Sequence, residues 1–155
     1  MPLEIERKFL VKGDFSKEII SKQEIQQGFL SSVPDRVVRV RISNDQAFMT
    51  VKGRSTVDGT SRYEWEKEIE KQDALELLSL CEPGIIHKTR YICKVGASLF
   101  EVDDFYGENQ GLQIAEIELS DKDDEFEHPN WLGKEVTTDY RYTNASLSKH
   151  PYCQW

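Results

Sequence analysis

Glutamates recur one residue apart at three places in the chain: Glu4 and Glu6, Glu64 and Glu66, Glu116 and Glu118. Cations gather at Lys8, Arg39 with Arg41, Lys52, and Lys88 with Arg90. Carboxylate oxygens are hard ligands suited to Mg²⁺ or Mn²⁺, ions that keep water and bridge to phosphate oxygens. Arginine forks match phosphate oxygens two at a time, and lysine adds a point charge. Such a set describes a site for a polyanion with a divalent metal, whose binding would neutralise both halves of the set. The matching chemistry is phosphoryl transfer: hold the phosphates in line, neutralise charge on the leaving group and present a nucleophile.

The elements that must position these residues read as strands. In Leu3–Val11 the side chains alternate, so Glu4, Glu6 and Lys8 share one face and Leu3, Ile5, Phe9 and Val11 the other, with Arg7 among them. The pattern recurs in Arg36–Ser43, Gln46–Gly53, Ser61–Glu70, Ile85–Val95, Ser98–Gly107 and Leu112–Asp121. Arg39 and Arg41 share a face, as do Thr50 and Lys52, Lys88 and Arg90, and Glu101 and Asp103. Glu24–Ser31 supplies one further strand, Asn44-Asp45 a hairpin turn, and Phe15–Lys22 and Asp73–Cys81 read as helices, with another short helix after Tyr142.

A plain amphipathic sheet with its charged face in water accounts for any one strand. Two features favour enclosure. The cation-bearing faces are sorted by sign, whereas a solvated face mixes signs. Like charges side by side also repel, so three glutamate pairs need cationic partners. The expected fold is α+β: an eight-stranded antiparallel β-barrel with a charged lumen and a few covering helices, in one domain over residues 1–155. An outward apolar face then needs a cover, to which Trp65, Trp131, Trp155, Tyr140 and Tyr142 could contribute.

Bulk composition narrows the partners. The 155 residues carry a formal charge of −8, with 31% charged and 38% hydrophobic residues. An acidic surface repels duplex nucleic acid and anionic membranes. Cys81, Cys93 and Cys153 form no C-x-x-C pair, and free thiols with an acidic N-terminus lacking a secretory signal point to the cytoplasm. No phosphate-binding glycine loop and no G-x-S-x-G elbow is present, and His87, His128 and His150 lack zinc spacing. Asn144-Ala145-Ser146 matches a glycosylation pattern, read as chance.

The ordered set "EIERKFLV", "RVRI", "TVKG", "YEWEKEI", "HKTRY", "FEVDDFYG", "AEIEL" and "LGKEVTTDYRYTN" resembles the CYTH superfamily, the triphosphate tunnel metalloenzymes, over almost the whole chain. The resemblance implies a tunnel that takes a small-molecule triphosphate with Mg²⁺ or Mn²⁺. By position, Lys8, Arg39, Arg41, Lys52, Lys88 and Arg90 would grip the phosphates, and Glu4, Glu6, Glu116 and Glu118 would hold the metal. Glu64, Glu66, Glu101 and Asp103 would orient cations, bind metal through water or position the attacking water, and Arg141 would come near the tunnel mouth unless it forms a rim salt bridge. Lys88 with a lowered pKa and a water held by the metal near Glu4 and Glu6 are equal candidates for activating the nucleophile.

Three functions fit these residues. Hydrolysis of inorganic tripolyphosphate comes first, with thiamine or nucleoside triphosphates as further substrates. A class IV adenylate cyclase would use the same tunnel on ATP. A non-catalytic polyphosphate or nucleotide module would not need the glutamate pairs. A homodimer stays open.

Overall fold

A computed structural model describes residues 3–155. Nine strands form it: β1 (Leu3–Val11), β2 (Ile19–Ser31), β3 (Arg36–Ser43), β4 (Gln46–Gly53), β5 (Ser61–Ile69), β6 (Ile86–Val95), β7 (Ser98–Phe105), β8 (Gln113–Glu118) and β9 (Leu132–Glu135). Two α-helices, α1 (Lys71–Leu78) and α2 (Asn144–Lys149), accompany them. The sheet runs β5-β4-β3-β2-β6-β7-β8-β1-β9, and a β5–β1 pairing closes the first eight of these strands into a barrel. Every pairing is antiparallel, as short connections dictate. At the β3–β4 hairpin Asn44 takes φ 54, a conformation its short polar side chain tolerates.

Closure rests on a divided edge. β1 pairs with β8 through Glu6–Leu10, but its other edge is shared. β5 takes Leu3–Ile5, and β9 takes Phe9 and Val11. Between them, Glu6 N donates to Thr60 O and Lys8 N to Thr137 Oγ1, so loops rather than a strand complete the wall.

Alternation sends the apolar face outward, where it is covered twice. Val40, Ile42 and Ala47 pack beneath Ala74 and Leu78 of α1. Phe9, Val102, Ala115 and Ile117 pack with Phe15, Trp131 and Phe126 from the segments that flank the barrel. Of the aromatic residues expected in this cover, Trp131 and Tyr142 are buried, whereas Trp65, Trp155 and Tyr140 are exposed.

The lumen is not charged from end to end. Leu10, Ile86, Phe105 and Ile114 occupy the same strand faces as the charged residues and Phe29 the face of Gln27, and they cluster with Val136, Tyr142, Ala145 and Leu147 of the C-terminal segment. That segment plugs one end.

Two elements differ from the sequence reading. Residues 15–22 form only a single 3₁₀ turn, Ser16–Glu18, and Ile19–Lys22 extend β2 instead. Pairing of Ile19, Ser21 and Lys22 with Cys93, Ile92 and Tyr91 outweighs local helix preference. β9 is the ninth strand, four residues laid on the free edge of β1.

Candidate active site

Register fixes which side chains meet. Lys8 lies across from Glu116 and Glu6 from Glu118 on β1 and β8. Lys52 faces Glu64, and Thr50 stands between Arg39 and Glu66. Arg90 faces Asp103, and Glu101 faces Glu116. These side chains converge on a cavity of about 490 Å³ lined by seven carboxylates and seven cations. Glu4, Glu6, Lys8, Arg39, Arg41, Lys52, Glu64, Glu66, Arg90, Glu101, Glu116 and Glu118 all belong to that lining.

Lys88 and Asp103 do not line the cavity. They are buried, with Lys88 Nζ 2.7 Å from Asp103 Oδ2 and 2.9 Å from Asn144 Oδ1. Arg90 forks onto the same carboxylate, its Nε 2.7 Å from Oδ1 and its Nη2 2.9 Å from Oδ2, and its Nη1 reaches Glu101 at 3.1 Å. Burial drives the Lys88 ammonium down to a pKa of about 7; Asp103 resists this, and Arg90 and Arg41 reinforce it. Burial also opposes ionisation of Asp103, yet Arg90 and Lys88 outweigh it and hold the carboxyl well below the usual range. One carboxylate thus serves two cations, and since arginine does not release its proton, Lys88 is the one that yields.

On the opposite wall, Lys52 Nζ sits 3.2 Å from Glu4 and 3.6 Å from Glu64. Arg39 Nη2 donates to Thr50 Oγ1 at 3.1 Å and lies 3.6 Å from Glu66. Glu66 is at the rim, its side chain 38% exposed.

The carboxylates are under-compensated. Burial, with Glu116 and Glu4 close by, pushes Glu6 up to a pKa of about 8. Burial raises Glu4 and Glu118 as well. Glu116 behaves oppositely: burial opposes its ionisation, but Lys8 and Arg90 bring it down to about 2. Crowded, buried carboxylates of this kind fit a hard divalent cation. Among the described residues no three His, Cys, Asp or Glu side chains form a ready cage. That also suits Mg²⁺-type binding, in which one or two carboxylates share the ion with water and substrate phosphates.

The cations are under-compensated too. Lys8 is buried, yet among the described residues neither Lys8 nor Arg41 has a carboxylate within salt-bridge distance. Arg41 donates only to Gln27 Oε1, at 3.0 Å, and its pKa falls well below the usual arginine value through burial beside Arg39 and Arg90. Among the described residues the buried Arg39 Nε has no hydrogen-bond partner. An arrangement with spare buried donors is incomplete without an anion.

Arg141 lies outside the cavity lining; it pairs with Asp139 at 2.7 Å on the surface and stacks over Trp155. The sequence reading gives no site role to Arg62, Thr143, Asn144 or Tyr140 (the last expected in the outer cover), which do line the cavity, or to Gln27, which braces Arg41. Arg62 shares the inward face of Glu64 and Glu66 and was legible by alternation. Asn144 carried no signal beyond the glycosylation pattern.

A family model described as CYTH domain matches residues 2–152. The inorganic triphosphatase of Acetivibrio thermocellus is 48% identical over 153 residues, covering 98% of this chain and 97% of the relative. That of Nitrosomonas europaea is 36% identical over 149 residues, covering 94% and 96%. The crystal structure of the inorganic triphosphatase NE1496 superposes with a TM-score of 0.69 at 34% identity, covering 96% of this chain and 95% of that one.

Proposed function

The chain belongs to the CYTH domain family, and from that premise we propose that it is a divalent-metal-dependent triphosphatase acting on inorganic tripolyphosphate. The observation that carries this reading is the surplus of buried and half-buried donors: among the described residues Lys8, Arg41 and the Nε of Arg39 have no anionic partner of their own. A short, densely charged polyphosphate supplies acceptors for all of them without needing a base-binding pocket. Both curated relatives described above carry the name inorganic triphosphatase, which supports the same substrate class.

The residues divide the work. Lys8, Arg39, Arg41, Lys52 and Arg90 hold the phosphate chain, with the two arginines of β3 offering forks and the lysines point charge. Glu4, Glu6, Glu116 and Glu118 would hold Mg²⁺ or Mn²⁺, which would neutralise phosphate charge and polarise the phosphoryl group. Glu64 and Glu66 orient Lys52 and Arg39. Asp103 fixes Lys88 and Arg90 from behind, and Glu101 steadies the outer edge of Arg90. Lys88, expected from the sequence to activate the nucleophile, lies behind the cavity wall and acts through the carboxylate it shares with Arg90.

Residues 1–155 act as one domain. All three cysteines are free thiols, which supports a reducing, cytoplasmic setting. Among the described residues no helix is long and apolar enough to cross a membrane.

The test is a substrate panel. The protein is incubated with Mg²⁺ or Mn²⁺ and tripolyphosphate, thiamine triphosphate or ATP, and free phosphate and cyclic AMP are followed. Phosphate released fastest from tripolyphosphate is the expected result. Cyclic AMP from ATP would replace this reading with the cyclase, and tight binding without turnover would replace it with a binding module.

A further inference from the structure

A chain of hydrogen bonds crosses the barrel interior beneath the cavity and passes through a single side chain of the C-terminal helix. Arg41 Nε donates to Gln27 Oε1 at 3.0 Å, and Gln27 Nε2 donates to Asn144 Oδ1 at 3.0 Å. Lys88 Nζ donates to the same Asn144 oxygen at 2.9 Å, and Lys88 continues to Asp103 and Arg90. Gln27 and Lys88 have essentially no exposed surface.

The direction of every bond is forced. Arginine and lysine only donate. Arg41 therefore requires the Gln27 carbonyl oxygen, which turns the Gln27 amide nitrogen toward Asn144. Asn144 must then present its oxygen to Gln27 and Lys88 at once. A chain with a cation at each end needs one acceptor where the two donor series meet, and Asn144 is that acceptor.

Its placement is built into the fold. Thr143 caps α2 by accepting from Ser146 N at 3.1 Å. Ala145 and Leu147, the first and third residues after Asn144, bury themselves with Ile86, Phe105 and Ile114 in the apolar plug. Docking of the C-terminal segment thereby delivers the Asn144 oxygen to Lys88.

We propose that Asn144 is a positioning residue: its carboxamide oxygen sets the placement of the Lys88 ammonium and, through Gln27, of Arg41, so that the phosphate-facing charges are aligned only when the C-terminal segment is docked. This rests on the triphosphatase reading for its activity consequence, but its structural claim stands apart from it.

The experiment compares Asn144→Asp, Asn144→Leu and Asn144→Ala in the full-length protein. Both contacts need only an acceptor, so Asn144→Asp preserves them, whereas the other two remove them. Two readouts are taken. The first is the Lys88 ammonium signal in proton–nitrogen spectra at mildly acid pH, identified by its loss in Lys88→Met and slow to exchange when the group is buried and hydrogen-bonded. The second is phosphate release from tripolyphosphate with Mg²⁺ or Mn²⁺. Asn144→Leu and Asn144→Ala should lose the slow-exchanging signal and slow turnover by roughly ten- to a hundredfold, as expected for a lost hydrogen bond to a charged group. Asn144→Asp should keep the signal and recover most of the turnover. A Lys88 signal and a turnover rate unchanged in a folded Asn144→Leu or Asn144→Ala would overturn the proposal, as would Asn144→Asp behaving like Asn144→Leu in both readouts. If the wild-type protein releases no phosphate, the triphosphatase reading fails, and the Lys88 signal across the three variants still decides the role of Asn144.

Discussion

Asp103 stands between Lys88 and Arg90, its Oδ2 2.7 Å from Lys88 Nζ and its Oδ1 2.7 Å from Arg90 Nε. The three residues are buried together; Arg90 has a second, half-exposed partner in Glu101, whereas among the described residues Lys88 has only Asp103 as a counter-charge. Removing the members is therefore unequal. Asp103→Asn strands Lys88 and leaves Arg90 only Glu101 at the rim, and the expected loss is about 3–5 kcal/mol. Lys88→Met leaves Asp103 paired with Arg90, and its expected cost is below about 1.5 kcal/mol. Urea unfolding of the two variants without metal or phosphate measures the difference, and equal destabilisation would contradict the asymmetry.

Stability should also carry the imprint of Lys88 as pH rises. Its pKa in the folded protein is about 7, pushed down by burial, against about 10.4 for a free lysine. Between these values the unfolded chain binds the extra proton, so unfolding free energy rises with pH across the window. Below the folded value both states carry the charge, and the penalty of burying it is fully felt. The predicted observation is a positive slope of unfolding free energy between neutral pH and the free-lysine value that is reduced in Lys88→Met. An identical slope in both proteins would rule out the shift.

Glu6 has the opposite sign. Its pKa is raised to about 8, first by burial and then by Glu116 and Glu4. From the free-glutamate range up to that value the folded state holds the proton more tightly, so this residue's contribution to stability declines as pH rises through the window. Above it, the metal-free protein must bury a carboxylate among like charges. Glu6→Gln should therefore abolish turnover yet raise unfolding free energy in mildly alkaline, metal-free buffer by roughly 1–3 kcal/mol. A destabilised Glu6→Gln under those conditions would show the carboxylate to be compensated.

Alternation made the barrel readable because every barrel strand but β2 carries charge on its inner face and most have an apolar outer one, and the register then follows from the hairpins. It was silent where the inner face is neutral. Gln27 and Thr50 brace Arg41 and Arg39, yet an amide and a hydroxyl on a strand announce no partner. Ile19–Lys22 read as helix because their strand character depends on β6, some seventy residues away in the chain. β9 is too short for a period to show, and Asn144 owes its role to the docking of a six-residue helix, a tertiary event with no local pattern. Burial of Lys88 and Asp103 behind the cavity wall was likewise hidden: alternation gives a face, not a depth.

That docking can be disturbed without touching the lumen. Gly84 has φ 98, and a Cβ there would meet the Ser148 carbonyl oxygen of α2 at 1.9 Å. The obstacle is helix backbone, which cannot turn aside as a side chain can, so Gly84→Ala must displace α2 or the loop. The strained φ adds a cost of about 1–2 kcal/mol on its own. Gly107 provides the comparison: its φ is 64, but nothing lies within 4 Å of an added Cβ. Gly107→Ala should therefore show only the backbone cost, with turnover near that of the wild type. Gly84→Ala should lose clearly more stability and, because α2 carries Asn144 to Lys88, turnover as well, although Gly84 is not part of the cavity lining. Thermal unfolding and phosphate release, measured side by side for the two alanine variants, separate a helix that merely covers the barrel from one whose seating the site depends on. Full turnover in a destabilised Gly84→Ala would mark α2 as a cover alone.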